Sequence, residues 1–404
     1  MIANKRILLG VSGGIAAYKA CALTSRLSQR GADVTVIMTD HAQEFVSPLT
    51  FQALSRNPVY TDTFDEKDPT KIAHIDLADW ADITLIAPAT ANIIGKLANG
   101  IGDDMLSTIL LATRSQVYIA PAMNVHMYAH PAVMKNMKQL DSWGYHFIEP
   151  GDGYLACGYV GKGRLEDPES IMAAIEDHQK QKMMLKGKNI LISAGPTRES
   201  VDPVRFFTNR STGKMGFALA EAASYMGAEV TLVTGPVNLS LSDSRINRVD
   251  VVTAREMEEA MIAHFPSNDI TIKAAAVADY RPEHRYDEKM KKHDGHWHVQ
   301  MERTNDILQT LAEQKTDDQF LVGFAAETEK PIDYGIRKLQ KKGLDAIVIN
   351  DVGAEGAGFE GNTNMVSYVN RQQDVENMSL ASKRDIAVRI LELIIRDKED
   401  RQRE

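Results

Sequence analysis

Two stretches of the chain repeat the same alternation of apolar and polar segments. In the first, an apolar run at Arg6–Val11 leads into a turn of small residues, an amphipathic segment and a second apolar run that ends near Thr39. In the second, residues 188–197 and 213–235 repeat that order. Short apolar runs joined by a segment of helical period are typical of parallel β-α-β units. The pattern therefore predicts that the chain begins a doubly wound α/β domain twice.

A polar and charged stretch at residues 176–189 separates these two beginnings. We therefore predict two domains, residues 1–185 and residues 186–404. Further strands are predicted at residues 83–88 and 117–121 in the first half. In the second half we predict strands at 270–276, 320–324 and 346–350, a long loop at 281–298 and a helix after Ser382. In open parallel sheets ligands bind at the carboxyl ends of strands, so candidate chemistry is sought there.

Composition narrows the class of protein. The chain has 404 residues, of which 44% are hydrophobic and 25% are charged, which is typical of a soluble globular protein of two or three domains. A net charge of -9 does not favour a nucleic-acid partner. Cys21 and Cys157 have no metal-type spacing, which favours a reducing, cytoplasmic compartment. We expect neither a signal peptide nor a membrane-spanning segment.

The turn after the first strand is a candidate phosphate site. Ser12, Gly13, Gly14 and Ile15 follow the strand and open the first predicted helix. Small residues there let backbone N–H groups approach a phosphate at the positive end of a helix. The turn lacks the complete G-x-G-x-x-G pattern, so a tight turn without a ligand remains the alternative.

Three further residues of the first half are candidate catalytic groups. His74 lies in a segment that feeds the strand ending in Ala-Pro-Ala, where an imidazole would suit a general base; the alternative is a surface histidine. Asn124 follows a strand end and could donate to a carboxylate, between Met123 and Met127, which could equally fill a core. Cys157 lies in a glycine-rich loop, which favours contact with substrate over burial.

In the second half, residues 209–216 resemble a P-loop but do not match it. Thr208 stands where that pattern requires glycine, and Met215 stands where it requires serine or threonine. The turn remains rich in donors and precedes a helix, so it is a candidate phosphate site that includes Asn209. Lys289 lies in a charged loop with Lys291 and Lys292, where the alternative is a solvated charge run.

In combination, these segments resemble a family of bifunctional enzymes, the phosphopantothenoylcysteine decarboxylase / phosphopantothenate–cysteine ligases. The first half resembles it through SGGIAAYK, APATANIIGKLANGIGDD, PAMNVHMY and ACGYVGKGR. The second half does so through AGPTRESVDPVRFFTNRSTGKMG, AAAVADYRP, EKMKK and GFAAET. The resemblance implies an N-terminal flavodoxin-like FMN-binding domain and a C-terminal nucleotide-binding ligase domain, both Rossmann-like. Tyr128 replaces the usual tryptophan, and Thr304 and Asn305 replace Asn-Pro.

For the first half, the resemblance implies an FMN-dependent oxidative decarboxylation of a cysteine amide followed by reduction. His74 would act in the oxidative stage, Asn124 would hold the carboxylate, and Cys157 would be the acid of the last reduction. The resemblance implies the following FMN-binding positions: Ser12, Gly13, Gly14, Ile15, Thr39 and Thr90.

For the second half, the resemblance implies that 4′-phosphopantothenate is activated by CTP with Mg²⁺ to an acyl-cytidylate, which cysteine then attacks. Lys289 would stabilise the activation and Asn209 would aid the second step. The resemblance does not identify the Mg²⁺ ligands, for which Asp279 is a candidate. It also implies that the protein forms a homo-oligomer through contacts of both halves. The implied nucleotide-binding positions are Ala275, Asp279, Lys289, Asn305, Asp306, Ile307, Phe324, Lys338 and Lys342.

Two rival functions can be compared with these expectations. A nicotinamide-dependent oxidoreductase would require the complete glycine pattern and an acidic residue at the end of the second strand, which Thr39 and Asp40 match only ambiguously. A regulatory flavoprotein could dispense with Cys157 or with a complete ligase half, and this chain has both.

Overall fold

The computed structural model describes residues 2–65, 70, 72–154, 158–291, 296–327, 331–351 and 361–403, without the side chains of residues 154, 327 and 351. It divides into two compact units, residues 1–180 and 181–404. The division falls slightly before the predicted boundary, and Leu185 is 1% exposed within a core of the second unit. Cys157 and, in the charged loop, Lys292 lie outside the described residues, so the predicted role of Cys157 stays a prediction.

The first unit alternates strands and helices. Its elements are β1 (Arg6–Val11), α1 (Ala17–Gln29), β2 (Asp33–Met38), α2 (Asp40–Gln43), α3 (Pro48–Ser55), β3 (Val59–Tyr60), α4 (Ala73–Trp80), β4 (Ile83–Ala89), α5 (Ala91–Ala98), α6 (Met105–Ala112), β5 (Gln116–Pro121), α7 (Val125–Tyr128), α8 (Pro131–Ser142), β6 (His146–Phe147), β7 (Gly151–Tyr154), β8 (Val160–Arg164) and α9 (Pro168–Gln181).

Six of these strands form a parallel sheet in the order β3-β2-β1-β4-β5-β6, and β7 and β8 form a separate antiparallel pair. Without the two-residue strand β3, the order is that of flavodoxin-like domains. The chain reverses direction across the sheet between β1 and β4, which creates a crevice at their carboxyl ends. The predicted flavodoxin-like α/β domain is thereby confirmed.

Both faces of this sheet are buried, which explains the continuous apolar runs in its sequence. Along β1, Ile7 and Leu9 belong to the core beneath α1 and α9, whereas Leu8 belongs to the core beneath α4, α5 and α6. The helices of each face run back over the strands and place their N-termini at the edge where the strands end.

The second unit begins in the same way and ends differently. Its elements are β9 (Asn189–Ala194), β10 (Arg198–Ser200), β11 (Phe206–Thr208), α10 (Lys214–Tyr225), β12 (Glu229–Thr234), β13 (Asn247–Asp250), α11 (Ala254–His264) with a 3-10 turn (Phe265–Ser267), β14 (Ile270–Lys273), β15 (Tyr280–Pro282), β16 (Met301–Arg303), α12 (Ile307–Gln314), β17 (Phe320–Glu327), α13 (Pro331–Lys341), β18 (Ala346–Asp351), β19 (Thr363–Asn370), β20 (Val375–Ser382) and α14 (Lys383–Arg403).

Its eight-stranded sheet has the order β13-β12-β9-β14-β17-β18-β19-β20. The pairs from β13 to β18 are parallel, and β19 and β20 add an antiparallel edge. The parallel part reverses between β9 and β14, so the second unit has a crevice in the topological position equivalent to that of the first. Helices α10 and α14 cover one face of the sheet, and α11, α12 and α13 cover the other.

Candidate active sites

A cavity of about 410 Å³ lies at the carboxyl ends of β1, β4 and β5 in the first unit. Five residues predicted from the sequence line it together: Gly13, Gly14, Ile15, Thr90 and Asn124. The phosphate-type turn, the end of β4 and the end of β5 thus meet at the reversal point of the sheet, where a doubly wound fold binds its ligand.

Ser12 lies behind this cavity and joins two of its walls. Its hydroxyl donates to the carbonyl oxygen of Pro88 at 2.8 Å and accepts from the backbone N–H of Thr90 at 3.0 Å. Thr90 in turn caps the N-terminus of α5. Ser12 is 2% exposed, so it fixes the end of β4 relative to the turn after β1 rather than presenting its hydroxyl at the surface.

Two glycines allow the backbone to approach closely around the cavity. A Cβ atom on Gly13 would lie 2.2 Å from the Cβ atom of His41, and one on Gly163 would lie 2.3 Å from the carbonyl oxygen of Met123. The φ angle of Gly163 is +145°, which side chains other than glycine rarely adopt. Both positions therefore require glycine if the turn after β1 and the strand β8 are to form the cavity wall.

The β8 side of the cavity was not among the predicted binding positions. Gly163, Arg164 and Leu165 line it, as does Lys19 of α1. The ammonium of Lys19 donates to the carbonyl oxygen of Leu165 at 2.8 Å and pairs with Asp167 at 3.3 Å. The run GKGR, which follows the loop that contains Cys157, is the part of the sequence that could have indicated this wall of the cavity.

Asn124 caps the short helix α7. Its side-chain oxygen accepts from the backbone N–H of His126 at 2.8 Å, so the amide nitrogen is the end of this side chain that can donate to a carboxylate. The hydroxyl of Tyr128, on the same helix, donates to Glu149 at 3.1 Å. Burial and the neighbouring Glu149 carboxylate raise the pKa of Tyr128 to about 12, so this ring stays neutral.

Thr39 and His74 are predicted positions that do not line this cavity. His74 lies in the first turn of α4, and α4 packs on the face of the sheet opposite to α1. Among the described residues, the His74 Nδ1 atom and the Thr39 hydroxyl are buried and have no hydrogen-bond partner. Both groups thus retain hydrogen-bonding capacity.

The second unit contains a cavity of about 420 Å³ at the carboxyl ends of β9, β14 and β17. Five predicted residues line it: Asn209, Ala275, Asp279, Phe324 and Lys338. Its lining also includes the basic side chains of Arg210, Lys214, Lys273 and Lys383, against the single described carboxylate of Asp279. Such an excess of cations favours an anionic ligand.

The turn before α10 supplies one wall. Gly213 begins the helix with φ at +78°, and a Cβ atom there would lie 3.0 Å from the side chain of Val237. The side-chain amide of Asn209 donates to the carbonyl oxygens of Ala276 and Val277 at 3.1 and 3.2 Å. Asn209 therefore ties the donor-rich turn to the segment that follows β14.

The positions around α12 separate into two groups. Asp306 caps the N-terminus of α12 and forms an ion pair with Lys342, while Ile307 is 3% exposed in the core. Asn305 donates to Glu258 at 2.9 Å and lines a different polar cavity of about 320 Å³ with Arg255, Arg281 and Arg303. The structure thus does not place Asn305, Asp306, Ile307 or Lys342 in the lining of the cavity at the sheet reversal.

Lys289 also lies away from this cavity lining and is exposed. Its neighbour Met290 anchors the loop: the Met290 N–H donates to Asp202 at 3.3 Å, and the Met290 carbonyl oxygen accepts from Arg205 at 2.7 Å. The loop is therefore held to the segment between β10 and β11.

Lys273 is a cavity residue that the sequence reasoning missed. It is the last residue of β14, and no side-chain hydrogen bond or ion pair involves it in the part of the chain that the structure describes. Burial, with the neighbouring Lys338 ammonium, lowers the pKa of Lys273 to about 8. In the sequence, Lys273 directly precedes the AAAVADY run, and this position next to a predicted nucleotide-binding segment could have indicated it.

Two kinds of site are absent from the described residues. No group of three or more His, Cys, Asp or Glu side chains in these ranges is arranged to hold a metal ion. None of the described helices is both long enough and apolar enough to cross a membrane.

Comparisons with known proteins divide the chain in the same way. Residues 1–180 match the family model described as Flavoprotein, and residues 185–397 match the one described as DNA/pantothenate metabolism flavoprotein C-terminal domain.

Relatives match both halves at once. The Coenzyme A biosynthesis bifunctional protein CoaBC of Bacillus subtilis (strain 168) is 56% identical over 396 residues, covering 98% of this chain and 97% of that protein. The protein of the same name from Vibrio parahaemolyticus is 46% identical, covering 97% and 98%. A crystal structure of the C-terminal domain of such a protein is 43% identical with a TM-score of 0.46, covering 54% of this chain and 99% of that one.

Proposed function

The chain belongs to the family of bifunctional coenzyme A biosynthesis proteins, and from this premise we propose that its first unit works with FMN and its second unit with CTP. It is an enzyme of coenzyme A biosynthesis that combines a decarboxylase and a ligase. A match over nearly the whole length does not favour the alternatives of a nicotinamide-dependent oxidoreductase or a regulatory flavoprotein.

The single observation that supports both assignments best is the repeated crevice. In each unit a cavity of about 400 Å³ occupies the sheet reversal, with a glycine-bearing turn at the start of a helix in its wall. Phosphate groups bind at such helix starts, because unpaired backbone N–H groups and the helix dipole favour anions. FMN and CTP both carry phosphate.

The residues of the first cavity fit FMN. Gly13 and Gly163 remove side chains that would collide with the cavity walls, and Lys19 and Arg164 add positive charge. When bound there, FMN supplies hydride transfer to and from the carbon that bears the sulfur. Within this unit we propose that Asn124 orients the substrate carboxylate through the N–H groups of its side-chain amide. The oxygen of the same amide caps α7 by accepting from the backbone N–H of His126.

Two further residues complete the proposed decarboxylase chemistry. We assign His74 to the oxidative stage, consistent with an imidazole whose Nδ1 atom has no partner among the described residues. We assign Cys157, which lies outside the described residues, to protonation of the product in the last reduction. Both assignments rest on the family resemblance and stay predictions.

The second cavity suits an anionic nucleotide and the phosphate of 4′-phosphopantothenate. We propose that Lys338 and Lys342 bind the nucleotide with Asp279 and Phe324, and that Asn209 aids attack of the cysteine amine on the acyl-cytidylate. Mg²⁺ enters with the triphosphate, whose hard oxygen atoms it prefers. Lys289 would stabilise the activation step after a movement of its loop toward the cavity.

We also propose a cytoplasmic homo-oligomer. The reducing cytoplasm suits the free thiol of Cys21 and a thiol substrate. Exposed apolar side chains in each unit support self-association, including Trp143 in the first and Phe206 and Phe207 on β11 in the second.

One experiment tests both proposed halves. The purified protein is expected to be yellow, to release FMN on denaturation, and to form CO2 and 4′-phosphopantetheine from 4′-phosphopantothenate, cysteine, CTP and Mg²⁺. Without nucleotide, only added phosphopantothenoylcysteine should be converted, because the ligase step is bypassed. A colourless protein that takes up no added FMN would contradict the first half, and ligation with ATP in preference to CTP would contradict the second.

A further inference from the structure

Strand β14 ends in a lysine, Lys273, at the second cavity. Ile270 and Ile272 of this four-residue strand point into one core, as expected of a central strand. Lys273 follows them on the opposite face, at the carboxyl edge of the sheet. Lys273 is half-buried in the cavity wall, and partial burial disfavours its charged form unless a counterion lies close to it.

The neighbouring strands define the face of the sheet on which Lys273 lies. Lys273 pairs laterally with Gly323 of β17 and with Ser193 of β9. A Cβ atom on Gly323 would lie 2.8 Å from Leu344 and 3.1 Å from Leu308, so the absence of a side chain there is required by the packing beneath α12 and α13. Lys273 therefore extends on the face of the sheet that those two helices cover.

The charged groups that act on Lys273 come from the N-cap of α12, from α13 and the residue after it, and from the segment after β14. They are Lys338, Lys342, Asp306 and Asp279. Lys342 forms an ion pair with Asp306, and Lys338 donates to the carbonyl oxygen of Phe324 at 3.2 Å. With Lys273 protonated, this group of five carries one net positive charge. Among the described residues, Lys273 is the lysine of this group that has neither a hydrogen bond nor an ion pair from its side chain.

We propose that the Lys273 ammonium binds a phosphate group of the nucleotide, as a further cation of the ligase site. This inference rests on the proposed function. It adds a residue to the proposed nucleotide site, because the family resemblance implies no role for Lys273. The surrounding side chains Asp279, Phe324, Lys338 and Lys342 are the proposed nucleotide-binding set, so a phosphate of the same ligand is the acceptor within reach. A charge-assisted hydrogen bond to phosphate satisfies the ammonium.

Binding and protonation are then coupled. In the free protein the pKa of Lys273 is about 8, so half of the molecules carry a neutral amine at that pH. A bound phosphate favours the charged form and raises this pKa. The affinity for nucleotide should therefore be constant well below pH 8 and fall above it, by about tenfold per pH unit until the bound-state pKa is reached.

The test is titration calorimetry of CTP with Mg²⁺ into the full-length protein between about pH 7 and pH 9.5, in the wild type and in Lys273→Met. At pH 7 the variant should bind CTP about 10- to 100-fold more weakly, the range expected for loss of one charge-assisted hydrogen bond. Its affinity should also lose the fall above pH 8. Lys341→Met is the matched control, because it removes an exposed lysine of α13 outside the cavity.

The calorimetric results can distinguish a failure of the Lys273 inference from a failure of the proposed function. Unchanged CTP affinity and an unchanged pH profile in a folded Lys273→Met protein would overturn the inference. If the variant lost affinity for 4′-phosphopantothenate but not for CTP, Lys273 would contact the phosphate of 4′-phosphopantothenate. That result would also overturn the inference. A wild-type protein that binds no CTP would instead contradict the proposed function itself, and restored CTP affinity in Lys273→Arg would support a role of positive charge at this position.

Discussion

Single side chains decide how each cavity can be used. Asn209 illustrates this, because its amide donates to two carbonyl oxygens of the segment after β14 and thereby holds the phosphate-type turn beside that segment. Its place in a donor-rich turn beside the cavity could be predicted from the sequence, whereas the place of Lys273 in the same lining was missed, although it directly precedes the AAAVADY run. Lys289 and Asn305 show the converse: the resemblance implied binding roles that this arrangement leaves at a distance from the second cavity.

Asn209→Asp should separate the two ligase steps. An aspartate keeps the size of the side chain but cannot donate to the two carbonyl oxygens, so the turn loses its anchor while the cavity cations remain. Nucleotide activation should continue, and acyl-cytidylate should accumulate on the enzyme. Mass spectrometry of the quenched reaction measures this; normal product formation without that species would exclude Asn209 from the second step.

Cys157→Ser and His74→Asn should differ in colour after addition of phosphopantothenoylcysteine without oxygen. A serine hydroxyl is a much weaker acid than a thiol, so Cys157→Ser should release CO2 once and then stall with its flavin absorption bleached. His74→Asn should stay yellow and release no CO2, because the oxidative stage is blocked. Repeated turnover of Cys157→Ser to the normal aminothiol would show that Cys157 is not the acid.

At the level of elements, the parallel strands were predictable and the hairpins were not. The predicted strands at 83–88, 117–121, 320–324 and 346–350 correspond to β4, β5, β17 and β18, because strands buried on both faces give continuous apolar runs. The predicted strand at 270–276 ends earlier, at Lys273. Periodicity could not reveal the pairs β7–β8 and β10–β11, because β7 and β8 are rich in glycine and β10 and β11 have only three residues each.

Helix α6 offers a test of how one cap stabilises the first unit. Asp104 accepts from the backbone N–H of Ser107 at 2.7 Å and from the Lys96 ammonium at 2.7 Å. Burial alone would raise the pKa of Asp104, but these donors lower it below its usual value of 3.8. Because the folded-state pKa is depressed, the stabilisation is complete above about pH 4 and is lost as the pH falls further.

Asp104→Ala should therefore lower the free energy of unfolding of the first unit by about 1 kcal/mol at pH 7, with a smaller difference in acid. Urea unfolding followed by flavin fluorescence reports this unit within the full-length protein. Asp103→Ala is the control, since Asp103 contacts Lys96 at 2.6 Å but does not cap the helix. An equal loss in both variants would attribute the effect to the ion pair rather than to the cap.

At the level of the whole molecule, two α/β units with their own cores occupy one chain. The repeated opening pattern was sufficient to predict this, because each unit restarts the same β-α-β order. The position of the boundary was less accessible, since the polar stretch 176–189 contains Leu185, which is buried in a core of the second unit. The backbone N–H of Leu185 donates to the carbonyl oxygen of Met226 at 3.0 Å, so both its backbone and its side chain belong to that unit.

Separate expression should show that the units fold and work independently. Residues 1–180 should decarboxylate, and residues 181–404 should ligate, because each keeps its own core. A ligase fragment that starts at residue 186 should be less stable than one that starts at residue 181 by about 2 kcal/mol or more, because it loses the buried Leu185. Thermal unfolding of the two ligase fragments measures the difference, and equal stability would place the boundary after Leu185.

The lowered pKa of Lys273 has a chemical consequence for the ligase reaction itself. A neutral lysine amine is a nucleophile, and a mixed anhydride such as an acyl-cytidylate is an acylating agent. An uncharged Lys273 in the same cavity could therefore compete with the cysteine amine and become acylated. Protonation favoured by the bound phosphate removes the lone pair for as long as the nucleotide is present, so the contact that holds the nucleotide would also protect the enzyme from modifying itself.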